Sequence, residues 1–109
     1  MTTHNLPPEE PTRGEVDQWT GPAVLEFGAD WCPHCQAARP IIENALQDHP
    51  GVQHLRIADG PGRPLGRSYR VKLWPTLIVL RDGKEISRLV RPEKEKDIRE
   101  ALDEITDHR

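Results

Sequence analysis

The chain has 109 residues, of which 35% are hydrophobic and 30% are charged, and its net charge is −3. This length fits one domain. The composition and the scattered lysines and arginines indicate neither a nucleic-acid-binding protein nor a membrane protein. The first residues, MTTHNLPPEEPTRGE, lack the positive segment and apolar run of a signal peptide. We therefore expect a cytoplasmic protein, or a periplasmic one if an export signal has been trimmed.

The polar, proline-rich start predicts a disordered or loosely docked tail over residues 1–11, followed by one domain over residues 12–109. The domain opens with a capping box, in which the Thr12 side chain accepts from the amide of Glu15 and Glu15 reaches back. We therefore expect a short helix that ends near Trp19.

A near-continuous apolar run from Ala23 to Gly28, interrupted only by Glu26, is typical of a strand that is covered on both faces. A helix follows from Cys32 or Pro33, because proline suits the first helical position. This helix runs to about Asp48, with the buried stripe Ile41, Ile42, Ala45 and Leu46.

The second half of the chain carries further elements of both types. We predict a strand over 52–58, a short helix over 64–69, strands over 76–80 and 85–90 joined by an Asp82-Gly83 hairpin, and a helix over 93–106. Strands and helices in this order predict an α/β fold, with a central mixed sheet of four or five strands flanked by helices on both faces.

The two cysteines of the chain, Cys32 and Cys35, lie at the start of the predicted long helix. A thiol is a nucleophile only as thiolate, and a helix start can lower a cysteine pKa from about 8.5 into a range of roughly 3.5–7.5. The spacing places Cys32 at the exposed helix tip and Cys35 one turn later, where it can close a disulfide on the first sulfur. The pair is therefore predicted to attack and resolve disulfides.

Two other classes of function stay open for the cysteine pair. One is a non-catalytic module that only docks partners. The other is a carrier of a metal or cluster held between two chains, since zinc usually takes four ligands and one chain offers two cysteines. The histidines show no ligand spacing, so we predict no metal site within one chain.

Two segments carry a family resemblance. EFGADWCPHC resembles the active-site segment of thioredoxins, and WPTLIVLRDGKEISRLV resembles their cis-proline strand and hairpin. The similarity covers about Trp19 to Thr106 and implies the thioredoxin fold and a thiol–disulfide oxidoreductase. It also implies protein disulfides or dithiols as substrates and a reductase or reductant that recharges the pair, with no cofactor beyond the cysteines. The small size suggests a monomer.

The resemblance also implies roles for single residues. Pro75 would be cis and lie against the cysteines, Trp31 would shield the disulfide, and the Trp74 backbone would pair with an extended substrate. Glu26 falls where the family usually has a buried aspartate that helps to deprotonate the second cysteine. The implied site thus comprises catalytic Cys32, Cys35, Glu26 and Pro75, tuning Pro33 and His34, and substrate-binding Trp31, Trp74, Thr76 and Arg91.

The chain departs from the family pattern at several of these positions. Gly28 replaces a frequent aromatic residue, and Arg91 falls where many members have glycine, beside the groove that docks substrates. The family often keeps a lysine near the buried carboxylate. Here either His54 or Arg56 on the facing strand could pair with Glu26.

The dipeptide between the cysteines is Pro33-His34, which resembles the DsbA family of thiol oxidants rather than the Gly-Pro of thioredoxins. The helical insertion of DsbA-like proteins does not fit between Cys35 and Pro75. Reduction potentials are about −270 mV for thioredoxin and about −120 mV for DsbA. A histidine beside the thiolate predicts a potential between those values.

Each assignment has a plain structural alternative. Glu26 could face outward from its strand, Pro75 could be a trans proline at a strand start, and His34 could be an exposed helix residue without a role. Trp74 could be a half-exposed aromatic residue, and Arg91 a solvated hairpin residue.

Overall fold

The computed structural model describes residues 10–106. The predicted tail over residues 1–11 therefore lies outside the described residues except for its last two. Of these, Glu10 accepts a hydrogen bond from Arg63 Nη1 at 3.0 Å. The boundary between tail and domain stays a prediction.

Helices and strands follow one another in the predicted order. They are α1 (Arg13–Asp17), β1 (Pro22–Gly28), α2 (Pro33–Gln47), β2 (Gln53–Ala58), α3 (Pro64–Ser68), β3 (Thr76–Arg81), β4 (Lys84–Val90) and α4 (Glu95–Thr106). The capping box is present, with the Thr12 hydroxyl accepting from the Glu15 amide at 3.0 Å. Within residues 10–106, no helix is both long and apolar enough to cross a bilayer.

The described strands form one four-stranded sheet in the order β2-β1-β3-β4, which is the smaller of the two predicted sizes. β1 and β2 are parallel, since α2 connects them, whereas β3 is antiparallel to both β1 and β4. The hairpin between β3 and β4 turns at Asp82 and Gly83, whose φ angles of 52° and 80° suit a tight turn.

Helices cover both faces of the sheet. Because side chains alternate along a strand, Val24 of β1 packs with α2 and α4, whereas Leu25 and Phe27 pack with α1 and α3. Glu26 follows Val24 by two residues, so it faces the same layer as α2. The strand that ends at the cysteine loop thus carries a carboxylate on the face that α2 covers.

The buried stripe of α2 differs from the predicted one. Ile41 and Leu46 are only partly buried. The buried positions follow the helical spacing of three and four residues from the first turn onward: Cys35, Ala38, Ile42 and Ala45. Because Cys35 opens this stripe, its side chain faces the sheet and fixes which side of α2 packs inward.

Candidate active site

The start of α2 brings the two thiols together. Cys32 is the N-cap residue in extended conformation, and Pro33 is the first helical residue. The Cys32 sulfur accepts a hydrogen bond from the Cys35 amide at 3.3 Å, so it takes up one of the amides that a helix start leaves without a partner.

The expectation that Cys32 is the exposed thiol is wrong. Both residues are buried, Cys32 with 4% and Cys35 with 3% of its surface exposed. The physical reason is the same hydrogen bond: the Cys32 sulfur turns back over the helix start to reach the Cys35 amide, instead of projecting into solvent.

The surroundings of Cys32 favour its thiolate. Burial alone would raise its pKa, but hydrogen bonds to the sulfur from the Cys35 thiol and from the backbone amides of Cys35 and His34 act in the opposite direction, as does the positive charge of Arg91. The net result is a pKa for Cys32 below its ordinary value. Cys32 is therefore the thiol that is prepared to attack.

Cys35 has the opposite character. Burial raises its pKa to about 11, a hydrogen bond from the Ala29 backbone offsets part of that rise, and the neighbouring Cys32 sulfur and the Glu26 carboxylate add to it. At neutral pH the Cys35 thiol therefore stays protonated, and Cys32 is the thiol that loses its proton more readily. The two cysteines are chemically distinct before any substrate arrives.

The proline opposite the cysteines opens β3. The Trp74–Pro75 peptide bond is cis, which is the isomer that the resemblance implies. Pro75 is buried, and its carbonyl accepts from the Arg91 amide at 2.8 Å. Thr76 follows it in the sheet with 1% of its surface exposed, and its hydroxyl donates to the Leu73 carbonyl at 2.5 Å. The buried Thr76 side chain thus holds the loop, and the substrate-binding role of Thr76 stays a prediction.

Trp74 is held on two sides. Its indole Nε1 donates to Asp59 Oδ2 at 2.9 Å, and its ring meets the edge of Trp31 with 5.6 Å between the ring centroids. Arg91 Nε donates to the Trp74 carbonyl at 2.9 Å. Trp31 itself is 72% exposed, so the tryptophan pair beside the thiols is partly open to solvent.

Gly28, at the end of β1, is explained by what surrounds it. A Cβ atom at this position would lie 2.5 Å from the Cys35 sulfur and 3.9 Å from the Trp74 Cβ. The missing side chain therefore makes room for the thiol. The aromatic residue that is frequent in the family would not fit beside Cys35 in this arrangement.

Glu26 is buried, with 3% of its surface exposed, which excludes the outward-facing alternative. His54 is its hydrogen-bond partner, since Nε2 lies 2.7 Å from Glu26 Oε1, whereas Arg56 Nε lies 4.0 Å from Oε2. Glu26 and Cys35 line the same cavity of about 430 Å³. Such a polar space can admit water between the carboxylate and the thiol.

For His34 and Asp59 the structure differs from what the sequence predicts. The His34 side chain is exposed, and the contribution of this residue to the thiolate is its backbone amide. Asp59 was missed, although it directly follows β2 at the edge where the parallel strands end, a place where binding groups gather in open α/β sheets.

Within residues 10–106, no three histidine, cysteine, aspartate or glutamate side chains are grouped to hold a metal ion.

Comparisons with known proteins agree with this geometry. The thioredoxin family model matches residues 9–104. The chain is 37% identical over 72 residues to a thioredoxin of Chlamydia trachomatis, which covers 65% of this chain and 70% of that protein.

Solved structures give the same result. The structure of thioredoxin 2 from Pseudomonas aeruginosa PAO1 in its reduced form is 52% identical with a TM-score of 0.80, covering 89% of this chain and 90% of that chain. A mutant thioredoxin from Halobacterium salinarum NRC-1 is 25% identical with a TM-score of 0.70, covering 85% of this chain and 84% of that one.

Proposed function

Since the chain belongs to the thioredoxin family and is a thiol–disulfide oxidoreductase, we propose that Cys32 attacks disulfides of protein substrates and that Cys35 resolves the intermediate. The observation that carries this assignment is the difference between the two thiols. The pKa of Cys32 is lowered and that of Cys35 is raised to about 11.

The reaction is thiol–disulfide exchange in two steps. The Cys32 thiolate attacks one sulfur of the substrate disulfide, and the other substrate sulfur leaves as a thiolate. Cys35 then loses its proton and attacks the Cys32 sulfur, which releases the second substrate thiolate and leaves a Cys32–Cys35 disulfide. The substrate gains two electrons and two protons, and a dithiol reductant or a reductase must return them to the pair. The cysteines themselves carry the electrons, so no cofactor is needed.

We assign the removal of the Cys35 proton to Glu26. The carboxylate is buried on the α2 side of β1 and shares a cavity with Cys35, which gives water room to relay the proton. His54 fixes the orientation of the carboxylate through the 2.7 Å contact to Oε1, while the other oxygen, Oε2, lies 4.0 Å from the nearest Arg56 nitrogen.

The substrate segment is proposed to lie along Trp74 and Pro75. Arg91 already donates to the Trp74 carbonyl, so an incoming backbone amide would share or displace that hydrogen bond. Arg91 thereby influences substrate docking through the loop, in addition to its charge beside Cys32. The exposed face of Trp31 would cover the mixed disulfide.

The order of the thiols is tested by trapping. Cys35→Ser should accumulate a mixed disulfide with a protein substrate such as insulin, because the first attack is intact and the release is blocked. Cys32→Ser is the matched control and should trap nothing. In the wild-type reduced protein, an alkylating reagent near neutral pH should label Cys32 first, as peptide mass spectrometry would show. Labelling of Cys35 first would reverse the assignment.

The cellular setting stays a proposal of its own. We propose a monomer that works in the cytoplasm, where a reducing environment would keep the pair mostly as the dithiol and let it reduce substrate disulfides. Cell fractionation tests the location, and light scattering on the purified protein tests the monomer. If the protein is found in the periplasm, the same site would serve an oxidant or an isomerase.

A further inference from the structure

The segment from Gly60 to Arg81 has an unusual charge. It contains five arginines and lysines but no aspartate or glutamate, although the whole chain carries a net charge of −3. Four of these cations fall within residues 63–72. The cations therefore are not scattered here, contrary to what the composition suggests.

The fold gathers the same four cations around one open groove. Helix α3 and the loops that flank it place them beside Trp74 and Asp59, and the groove encloses about 610 Å³. We call it the basic groove, and define it by the four cations and the tryptophan that line it: Arg63, Arg67, Arg70, Lys72 and Trp74.

Most of this charge is not neutralised by the protein. Arg63 pairs with Glu10 at 3.0 Å. Arg67, Arg70 and Lys72 form no ion pair with any carboxylate in residues 10–106, and all three are exposed. Asp59 is the acidic residue that lines the groove, and its carboxylate is engaged by the Trp74 indole. A concave surface with one sign of excess charge concentrates ligands of the opposite sign.

The basic groove is continuous with the redox site. Trp74 lines the groove, contacts Trp31 and precedes Pro75, so a molecule in the groove lies beside the tryptophan pair of the redox site. Arg91, bound to the Trp74 carbonyl, adds a further cation on the same residue. An occupant of the groove is therefore placed to be part of the molecule whose disulfide is being exchanged.

We propose that the basic groove docks an acidic segment of the protein substrate, next to the disulfide that Cys32 attacks. The proposal rests on the proposed function, because it supplies that exchange reaction with a preference for substrates whose disulfide is flanked by aspartates or glutamates. A protein segment is favoured over a nucleic acid because the groove shares Trp74 with the site that must receive a disulfide, and because the chain as a whole is anionic.

Matched peptides test the preference. Three synthetic peptides carry the same disulfide and differ only in flanks of glutamate, glutamine or lysine, and the full chain reduces each in turn. At low ionic strength we expect kcat/KM for the glutamate peptide to exceed that for the glutamine peptide about tenfold, with the lysine peptide slowest. Salt at about 0.5 M should remove most of the difference, since exposed charges are then screened beyond a few ångströms.

Variants localise the effect to the groove. Arg67→Gln, Arg70→Gln and Lys72→Gln each remove one positive charge and should each lower kcat/KM about threefold for the glutamate peptide, leaving the glutamine peptide unchanged. Lys84→Gln is the matched control, because Lys84 is an exposed cation at the opposite end of the hairpin from Pro75. It should change neither rate. The unchanged rate on the glutamine peptide shows that each variant is folded and active.

The outcomes separate this proposal from the proposed function. If no peptide is reduced, the proposed function fails and this inference fails with it. If the glutamine and glutamate peptides are reduced equally, the function stands and the docking proposal is overturned. A short RNA is also tested as a competitor of the glutamate peptide. If the RNA inhibits at concentrations lower than those at which the peptide saturates the protein, the groove is assigned to nucleic acid and the proposal is again overturned.

Discussion

Alanine at position 28 would place a methyl group where the Cys35 sulfur lies. The added Cβ would be 2.5 Å from that sulfur, whereas ordinary van der Waals contacts begin at 3.4 Å. One of the two atoms must move by about 1 Å. Gly28 pairs with Ala58 of β2, and its carbonyl accepts from the Asp59 amide at 2.9 Å. Its backbone is therefore held in place, and the sulfur is the atom that yields.

The cost of this clash follows from the packing of buried groups. Forcing an extra methyl group into a filled site destabilises a protein by about 1–3 kcal/mol. For a domain of about this size, each kcal/mol lowers Tm by roughly 4–8 °C. The sulfur escapes by rotating about χ1, which moves it from the position behind Cys32. A misplacement of about 1 Å at a reacting atom can cost up to about 100-fold in rate.

Two measurements check the Gly28→Ala prediction. Urea unfolding of the reduced protein gives the stability, and single-turnover reduction of a peptide disulfide separates the first attack from the release. We expect lower stability and a mixed disulfide that accumulates, because the attack by Cys32 is kept and the release by Cys35 is slowed. Gly51→Ala is the control, since a Cβ at Gly51 meets nothing within 4 Å and Gly51 also lies outside the strands and helices.

The comparison of Gly28→Ala with Gly51→Ala tests whether Gly28 makes room for the Cys35 thiol. Alanine in place of glycine can stabilise a protein by about 0.4–1 kcal/mol where the backbone permits it, so Gly51→Ala gives the baseline for this effect. If Gly28→Ala is as stable as Gly51→Ala and releases substrate at the wild-type rate, the reasoning that Gly28 makes room for the thiol is wrong.

Two further predictions concern the thiolate. Arg91→Gly should raise the Cys32 pKa, measured by thiolate absorbance against pH, and lower KM for peptide disulfides by freeing the Trp74 carbonyl. Arg91→Lys keeps the charge and should alter the Cys32 pKa less. If the Cys32 pKa is unchanged in both variants, the Arg91 charge does not act on this thiol. The reduction potential in glutathione buffers should lie between about −270 and −120 mV, and His34→Ala should shift it toward the lower value by no more than about 30 mV, since its backbone amide is kept. A potential at or below −270 mV would contradict the role of the Pro-His dipeptide.

The order of elements could be predicted from the sequence because its signals are local. The apolar run of β1, the Asp82-Gly83 turn and the periodic apolar residues of α4 each specify one element without reference to the rest of the chain. The phase of the α2 stripe could not be predicted in the same way. Ile41 and Ile42 are equally apolar, and only the position of α2 against the sheet decides that Ile42 is the buried one.

The partner of Glu26 shows a similar limit. In the parallel register, Glu26 lies opposite Arg56 and Val24 lies opposite His54. The sequence places both basic residues on the same face, and both directly opposite and diagonal neighbours can reach a carboxylate. His54 makes the short contact, while Arg56 lies 3.8 Å from Glu43 at the surface. Three-dimensional packing decides between them.

The basic groove was missed for a different reason. Its cations are close together in the sequence, but a cluster of charges usually marks only a solvated surface. What turns the cluster into a candidate docking surface is the position of α3, which places Arg67 beside the loop that carries Trp74. A residue pattern in a helix of five residues could not predict that neighbour.

Arg91 links the redox chemistry of this chain to its substrate docking. A lower thiolate pKa stabilises the dithiol and makes the disulfide more oxidising. The amides that lower the Cys32 pKa belong to the start of α2, whereas the Arg91 charge comes from the residue that follows β4. The same guanidinium occupies the Trp74 carbonyl, and the Arg91 amide bonds the Pro75 carbonyl. Since φ at Arg91 is 50°, glycine would suit the backbone. It would remove both the positive charge near Cys32 and the hydrogen bond from the guanidinium to the Trp74 carbonyl. Replacement of Arg91 by glycine therefore changes redox poise and substrate docking together.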